Sequence, residues 1–256
     1  MKRLLPLLVL LALTGAASAP DTSLYAIYAS GDYTGAEQAG VAAHSAEGYA
    51  IAARAAMAEA ILKPSPCLEC LKKAESFARQ AVAADPRYPD GQIWLAVSLG
   101  YQARIIGVVK ARMADAPEQS KAALDAALQS DPKNPFAVSS MGGWHIEIVK
   151  GGGSLMARLL YGASESKALQ YFDDAARLAP ENVAVRYQIG LSLAGFDPDK
   201  YRARIQSEWT AAIHAMPETA YEKAMQERAS RMLALLEKGD HAGLVAMVRQ
   251  YQGYPQ

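Results

Sequence analysis

The sequence lacks an excess of charge of either sign. Among its 256 residues, 26 basic side chains balance 26 acidic ones, and the isoelectric point lies near 6.9. A protein that binds nucleic acid needs a basic surface, so we expect no nucleic-acid partner. The sequence also lacks the period-two alternation of apolar and polar residues that is typical of strands. With 51% hydrophobic and 20% charged residues, it has the composition of a folded helical chain.

Motifs for catalysis or cofactor binding are incomplete. Ser164-Glu-Ser-Lys167 matches the Ser-x-x-Lys of penicillin-recognising enzymes, but no Ser-Asp-Asn or Lys-Thr-Gly follows it. We interpret Ser164 as a helix N-cap and Lys167 as a solvated side chain. Gly151-Gly-Gly153 has neither the Lys-Ser/Thr pair nor the preceding strand of a phosphate loop. We therefore expect no catalytic residues and no cofactor.

A zinc site also finds little support. His145-Ile-Glu147 and Pro66-Cys-Leu-Glu-Cys70 match the two halves of the zinc-deaminase signature, but in reversed order and without the sheet that carries those motifs. We expect no bound metal, and we place His145 between helices. Haem attachment is excluded because Leu71 stands where that motif requires histidine.

The two cysteines, Cys67 and Cys70, stand one helical turn apart. Such neighbours lie about 5–6 Å from each other, which suits a disulfide in an oxidising compartment. The bridge should contribute little stability because it closes a very short loop. Two alternatives stay open: a pair of thiols facing the neighbouring helix, and a catalytic redox pair, which no thioredoxin-like strand supports.

The N-terminus has the order of a secretory signal peptide. Lys2-Arg3 precede an apolar stretch over 4–13, and small residues end at Ala17-Ser-Ala19. We predict a signal peptide over 1–19 with cleavage near 17–19. A retained anchor is the alternative, although the apolar stretch is shorter than the about 20 residues of a membrane span. Without a cysteine for lipid attachment in this segment, we expect a periplasmic or secreted mature chain that does not span the membrane.

What the sequence does contain is a recurring proline surrounded by small residues. The prolines are Pro86, Pro132, Pro180 and Pro217. Five positions before them stand the alanines Ala81, Ala127, Ala175 and Ala212, and eight positions before them stand Ala78, Leu124, Phe172 and Trp209. Ten positions after the first three prolines stand Ala96, Gly142 and Gly190. A small residue lets two helices approach, a bulky one fills the space beside it, and proline follows the second helix. The pattern predicts a helical repeat array.

This pattern resembles the tetratricopeptide repeat, and the segment with Ala168, Phe172, Ala175 and Pro180 is its best copy. The prolines are farther apart than the 34 residues of that family, so helices are lengthened or segments inserted. Lys150-Gly-Gly-Gly153 predicts the end of one helix and Ser154 the cap of a short inserted helix over 155–161. The resemblance implies an all-α, right-handed solenoid of helical hairpins.

The C-terminal half also resembles the proteins called regulators of microtubule dynamics. The residues that carry this resemblance are Gly142-Gly-Trp144, the insert over 155–161, the helix with Ala168, Phe172 and Pro180, and Met216-Pro-Glu-Thr219. That family name implies tubulin binding. A secreted chain would not meet cytoplasmic tubulin, so we carry over the fold and not the partner.

We predict a single solenoid domain over 20–256, since each repeat buries its apolar face on its neighbours. The predicted repeats are 22–44, 45–88, 89–134, 135–182 and 183–219, followed by capping helices over 220–252. The third repeat should begin with one continuous helix over 90–112.

The resemblance places ligand contacts on the concave face, which the first helix of each repeat lines. The predicted contact residues are Ile93, Val97, Tyr101, Phe136, Ser139, Ile146, Glu147, Tyr187 and Leu191. These offsets hold none of the Lys, Arg and Asn residues that clamp a peptide carboxylate in relatives, so we expect an apolar and aromatic groove. The alternative is that longer helices and the insert fill this face.

Two functions follow for such a groove. The first is a non-enzymatic scaffold of the cell envelope that binds a hydrophobic peptide or an amphipathic helix. The second is a small-ligand protein that binds a lipid or metabolite and serves a transporter. An enzyme that uses the cysteine pair or His145 is a distant third.

Overall fold

The computed structural model describes residues 22–255, so the predicted signal peptide lies outside the described residues. Within that range the chain forms thirteen helices and no strand. They are α1 (Thr22–Ser30), α2 (Tyr33–Ala42), α3 (Ala46–Leu62), α4 (Leu68–Ala84), α5 (Pro89–Ile106), α6 (Val108–Met113), α7 (Ala116–Ser130), α8 (Pro135–Tyr161), α9 (Glu165–Leu178), α10 (Val183–Phe196), α11 (Arg202–His214), α12 (Ala220–Lys238) and α13 (His241–Tyr251). The predicted all-α, helical-repeat fold is confirmed.

Helices that are neighbours in sequence pack against each other, and small residues decide how closely they approach. A Cβ atom added at Gly142 on α8 would come within 2.6 Å of the Phe172 ring on α9. A Cβ atom added at Gly190 on α10 would come within 2.4 Å of Trp209 on α11. Phe172 and Trp209 are 1% and 0% exposed. The sequence rule that pairs a small residue with a bulky one therefore describes the contact between the two helices of a hairpin.

Two helices begin after serines that the sequence predicts as N-caps, Ser45 before α3 and Ser164 before α9. The Ser45 hydroxyl accepts a hydrogen bond from the Gly48 amide at 3.0 Å, and the Ser164 hydroxyl accepts one from the Lys167 amide at 3.2 Å. Both serines satisfy amides that have no partner within the helix. Lys167 is exposed, as predicted, and its ammonium group also donates to the Gly162 carbonyl at 2.8 Å.

Glycines break two helices, one at a place that the prediction missed and the other within the predicted segment 150–153. The continuous helix expected over 90–112 ends at Ile106, because Gly107 has a φ of 84° that no helix accommodates. Conversely, α8 continues through Gly151 and is interrupted only at Gly153, where φ is 72°. A glycine inside a helix costs only about 1 kcal/mol, which the buried residues before it offset.

The last two helices return to the beginning of the chain. Arg228 on α12 donates to the carbonyl of Ile61, and Gln250 on α13 donates to the carbonyl of Pro64, at 2.9 and 3.3 Å. Gln252 is 1% exposed and donates to the carbonyl of Leu191 on α10. The C-terminal segment therefore occupies part of the space that an open solenoid would leave on its concave side.

Cys67 and Cys70 are joined by a disulfide at the first turn of α4, with their Cα atoms 5.3 Å apart. Cys67 is also the N-cap of this helix, since its sulfur accepts from the Cys70 amide at 3.2 Å. Nowhere in residues 22–255 do three or more His, Cys, Asp or Glu side chains form a group that could hold a metal ion. No helix in the same range combines the length and apolarity that crossing a membrane requires.

His145 lies between helices, as the sequence predicts. Its ring stacks on Tyr171 of α9 at a centroid distance of 5.6 Å, and it is 4% exposed. Burial, followed by the positive charges of Lys167 and Lys121, lowers the pKa of the imidazole to about 4. The folded protein therefore holds His145 neutral, while the unfolded chain protonates it near its ordinary pKa of 6.5.

This difference predicts acid sensitivity. Below the unfolded pKa the unfolded state binds a proton that the folded state excludes, so stability should fall as the pH drops from about 6.5 to about 4. The variant His145→Phe keeps an aromatic ring on Tyr171 but cannot bind a proton. The change in the free energy of unfolding between neutral and acidic pH should therefore be smaller by up to about 3 kcal/mol. The measurement is urea unfolding of both proteins at neutral and acidic pH. Parallel pH profiles for the two proteins would contradict the assignment.

Candidate ligand cavity

The structure contains a cavity of about 540 Å³ beside α5 and α8. The wall is mainly apolar and aromatic, and α6, the end of α8 and the C-terminal segment complete it. Its larger apolar lining residues are Ile93, Trp94, Val97, Leu99, Val108, Leu124, Phe136, Trp144, Ile148, Met156, Leu160 and Tyr161. The volume falls in the range of small-molecule sites, roughly 300–1,000 Å³.

Six of the nine predicted contact residues line this cavity. They are Ile93, Val97, Tyr101, Phe136, Ser139 and Glu147. The other three lie instead in the hydrophobic core, where Ile146, Tyr187 and Leu191 are 0%, 2% and 0% exposed. Their positions on the first helix of a repeat are as expected, but α12 and α13 pack into the same core. This part of the concave face is therefore filled, and the space that remains lies on the side of α5 and α8.

The sequence prediction missed the cations in the cavity wall. Arg54, Arg104, Arg112 and Lys150 all line it, whereas Glu147 is its one lining carboxylate within the described residues. The contact residues were predicted from fixed positions on the first helices of the third and later repeats. Arg54 was missed because it lies on α3, which comes before them. One signal could have identified it, because Arg54 is the only basic residue in the alanine-rich sequence of α3. An isolated charge in such a helix needs a specific environment.

Arg54 is enclosed by aromatic rings. Its guanidinium carbon lies 4.5 Å from the ring centroid of Tyr28, 5.6 Å from that of Trp94 and 5.8 Å from that of Phe136. Such rings attract a desolvated cation through their negative faces. Its Nε atom is buried without a hydrogen-bond partner among the described residues, and so is Nε1 of Trp94. Both nitrogens are unsatisfied donors, but neither atom is itself exposed to the cavity.

No described carboxylate lies within ion-pair distance of Arg54. Burial lowers the pKa of Arg54, but Tyr28, followed by Asp90 at longer range, keeps it above its usual value. Burial raises the pKa of Asp90, and Arg54 opposes that shift only in part. A buried charge of this kind favours an acidic group as a contact partner.

A cluster of polar side chains connects the C-terminal segment to the cavity wall through hydrogen bonds. Nη2 of Arg104 on α5 lies 3.2 Å from Oε1 of Glu147 on α8, and the Tyr254 hydroxyl donates to the other carboxylate oxygen at 3.0 Å. Arg104 also donates to the carbonyl of Gln252 at 3.2 Å. Burial alone would raise the pKa of Glu147, but Arg104 and Lys150 hold it below its usual value. This carboxylate is ionised and fully engaged by the protein.

Fold and cavity together describe an all-helical repeat protein with a cavity whose wall carries more positive than negative charge. The chain belongs to the family described as "Regulator of microtubule dynamics protein 1-3", which it matches over residues 37–237. This match extends well beyond the C-terminal half that the sequence motifs indicate. It is consistent with a non-enzymatic, interacting helical protein. No curated protein matches the sequence.

The cluster at Arg104 predicts a strong coupling between its two charges. Arg104→Met should cost about 1.5–3 kcal/mol of stability, because it removes a hydrogen-bonded ion pair from the half-buried carboxylate of Glu147. The double variant Arg104→Met/Glu147→Met should be more stable than this single variant, because it removes both charges. Urea unfolding of the two single variants and the double variant measures the coupling.

The matched control is Arg231→Met, which breaks an ion pair with Glu227 in which both side chains are more than half exposed. It should cost less than about 1 kcal/mol. If the double variant loses as much stability as the sum of the two single variants, Arg104 and Glu147 are not coupled.

Proposed function

We propose that the protein binds an anionic amphiphile, with the acyl chain in the apolar cavity and the acidic head group at Arg54. The observation that carries this proposal is the combination of about 540 Å³ of mainly apolar space with the guanidinium of Arg54 in its wall, which forms no ion pair with any described carboxylate. We place this function in the periplasm or outside the cell, in accordance with the signal peptide that the sequence predicts. No catalytic step belongs to the proposal.

The charge of the wall supports an acidic ligand over a neutral or basic one. Four cations line the cavity and Glu147, the opposing carboxylate, is already held by Arg104 and Tyr254. A carboxylate or phosphate at this wall would be attracted to the Arg54 guanidinium, which has no ion-pair partner among the described residues. A basic head group would find no free acceptor of opposite charge in the described wall.

The apolar walls support an acyl chain over an extended peptide. Each residue of a peptide brings a backbone amide and a carbonyl, and each of these groups needs a hydrogen-bond partner when water is excluded. A helix is about 10 Å wide, and the part of the concave face that could hold it is occupied where Tyr187 and Leu191 are buried. The small-ligand function therefore takes precedence over the peptide scaffold that the repeat pattern first suggests.

Gly100 offers a way to fill the cavity without removing any contact. It lies on α5 in the cavity wall, and a Cβ atom added there would meet no heavy atom within 4 Å. Gly100→Leu should abolish binding of dodecanoate, measured by isothermal titration calorimetry. The melting temperature should not fall, because replacing a helical glycine stabilises a helix by about 0.5–1 kcal/mol. Gly100→Ala is the matched control and should retain binding. Equal affinities for Leu and Ala variants would place the ligand elsewhere.

Arg54 should decide the preference for an acidic head group. Arg54→Gln should weaken dodecanoate binding by about tenfold to a hundredfold, since a hydrogen bond to a charged group contributes about 1.5–3 kcal/mol. Binding of dodecanol should change little, because the alcohol carries no charge. Arg231→Gln, on the exposed surface of α12, serves as the control.

These measurements can also reject the proposal. If the wild-type protein binds neither dodecanoate nor dodecanol, the cavity is not an amphiphile site. If Arg54→Gln weakens both ligands equally, the guanidinium supports the wall and does not select the head group. Binding of a hydrophobic peptide that Gly100→Leu leaves unchanged would favour the scaffold function instead.

A further inference from the structure

Large apolar side chains are exposed almost exclusively in one region. Of the nine exposed large hydrophobic residues within the described chain, seven lie on α6 or on the end of α8 beyond Gly153. The most exposed of them are Met113 at 81%, Val109 at 73% and Leu159 at 67%. Such a concentration of apolar side chains marks an interaction surface.

The two segments lie side by side at the cavity. A Cβ atom at Gly151 would lie 3.5 Å from a methyl group of Val108, which places α6 against α8. Val108, Met156 and Leu160 belong to the cavity wall. Four other apolar side chains of the same segments do not line the cavity and are more than 60% exposed. They are Val109, Met113, Leu155 and Leu159. The same two short helices thus contact the cavity on one side and solvent on the other.

The charges on these segments are all positive. Lys110 and Arg112 on α6 and Arg158 on α8 are exposed, and α6 and residues 148–162 contain no acidic residue. Within the described residues, none of these three cations forms an ion pair. A short helix with protruding apolar side chains and flanking Lys or Arg is the pattern of a segment that lies in a membrane interface.

We propose that α6 and the end of α8 form a docking surface for an anionic lipid bilayer. Met113, Val109, Leu155 and Leu159 insert among the acyl chains at the interface, and Lys110, Arg112 and Arg158 contact acidic head groups. Because Val108, Met156 and Leu160 belong to the same segments, docking brings the cavity wall to the bilayer, where an anionic amphiphile can pass between the two. This exchange step rests on the proposed function, whereas docking itself does not.

The charge pattern favours a bilayer over a second copy of the chain. In a two-fold dimer the same patch of both copies meets, so the three cations of one copy would face those of the other. Neither segment has an acidic residue that could offset this repulsion. Anionic lipids supply the opposite charge at every position of the surface. Lysine and arginine stems also extend along apolar surface while their charged ends reach the head groups.

Co-sedimentation with lipid vesicles tests the docking surface. The mature chain should bind vesicles of equal parts phosphatidylglycerol and phosphatidylcholine, and it should bind pure phosphatidylcholine at least about tenfold more weakly. Raising the salt concentration should weaken binding to the mixed vesicles. Absence of binding to either vesicle at low salt would overturn the proposal.

Variants locate the surface. Met113→Ser/Leu159→Ser should reduce binding to the mixed vesicles by about tenfold or more, because two apolar side chains no longer insert. Lys110→Gln/Arg158→Gln should reduce the preference for the mixed vesicles over pure phosphatidylcholine. Met216→Ser is the matched control, since Met216 is 83% exposed but lies outside these segments. Wild-type binding by both double variants would overturn the proposal.

Two further measurements separate membrane docking from ligand binding and from self-association. None of the four substituted residues lines the cavity, so dodecanoate binding in the absence of vesicles should remain unchanged in both double variants. If dodecanoate binding fails in the wild type while vesicle binding persists, the proposed function is wrong and docking stands. If the wild type is a dimer that Met113→Ser/Leu159→Ser converts to a monomer, and neither protein binds vesicles, the patch is a self-association surface and the proposal is wrong.

Discussion

The close approach of two helices at a small residue is the constraint on which this structure depends. Gly142 leaves room for the Phe172 ring and Gly190 leaves room for Trp209, at distances that no other side chain would allow. Each hairpin is therefore held at a separation that its own residues determine.

Closure by the C-terminal segment adds a second constraint. Arg228 and Gln250 reach the carbonyls of Ile61 and Pro64 across 167 and 186 residues of sequence. These contacts fill one part of the concave face with core residues and leave the other part as a cavity. The same closure places Tyr254 beside Glu147, so the polar cluster in the cavity wall belongs to the architecture and not to a mobile loop.

Local signals in the sequence predicted most of the helices, because caps and turns act over a few residues. Ser45 and Ser164 cap helices where expected, since a serine before an amphipathic segment satisfies nearby amides in almost any context. The break at Gly107 could not be predicted, because glycine permits both a helix and a positive φ, and the choice depends on packing around it. The return of α12 and α13 rests on contacts between residues far apart in sequence, which no local pattern contains.

The sequence predicted only part of the candidate site, because local patterns do not contain contacts between distant residues. Repeat offsets identified Ile93, Val97 and Phe136, whose positions depend on the geometry of a single hairpin. They failed for Tyr187 and Leu191, because another part of the chain covers those side chains. They also missed Arg54, because the offsets were applied only to the third and later repeats and Arg54 lies on α3, in the second. Its isolation among alanines was a visible signal, but only the folded structure shows which rings surround it.

The wall of the cavity combines side chains from distant parts of the sequence, from Arg54 on α3 to Tyr254 after α13. Chains emerge from the ribosome with the N-terminal part first. While the later residues are missing, Arg104 and Glu147 lack the contacts with Gln252 and Tyr254 that bridge 148 and 107 residues. An incomplete chain therefore has an unfinished cavity. The order of synthesis itself makes the cavity one of the last features of the fold to be completed.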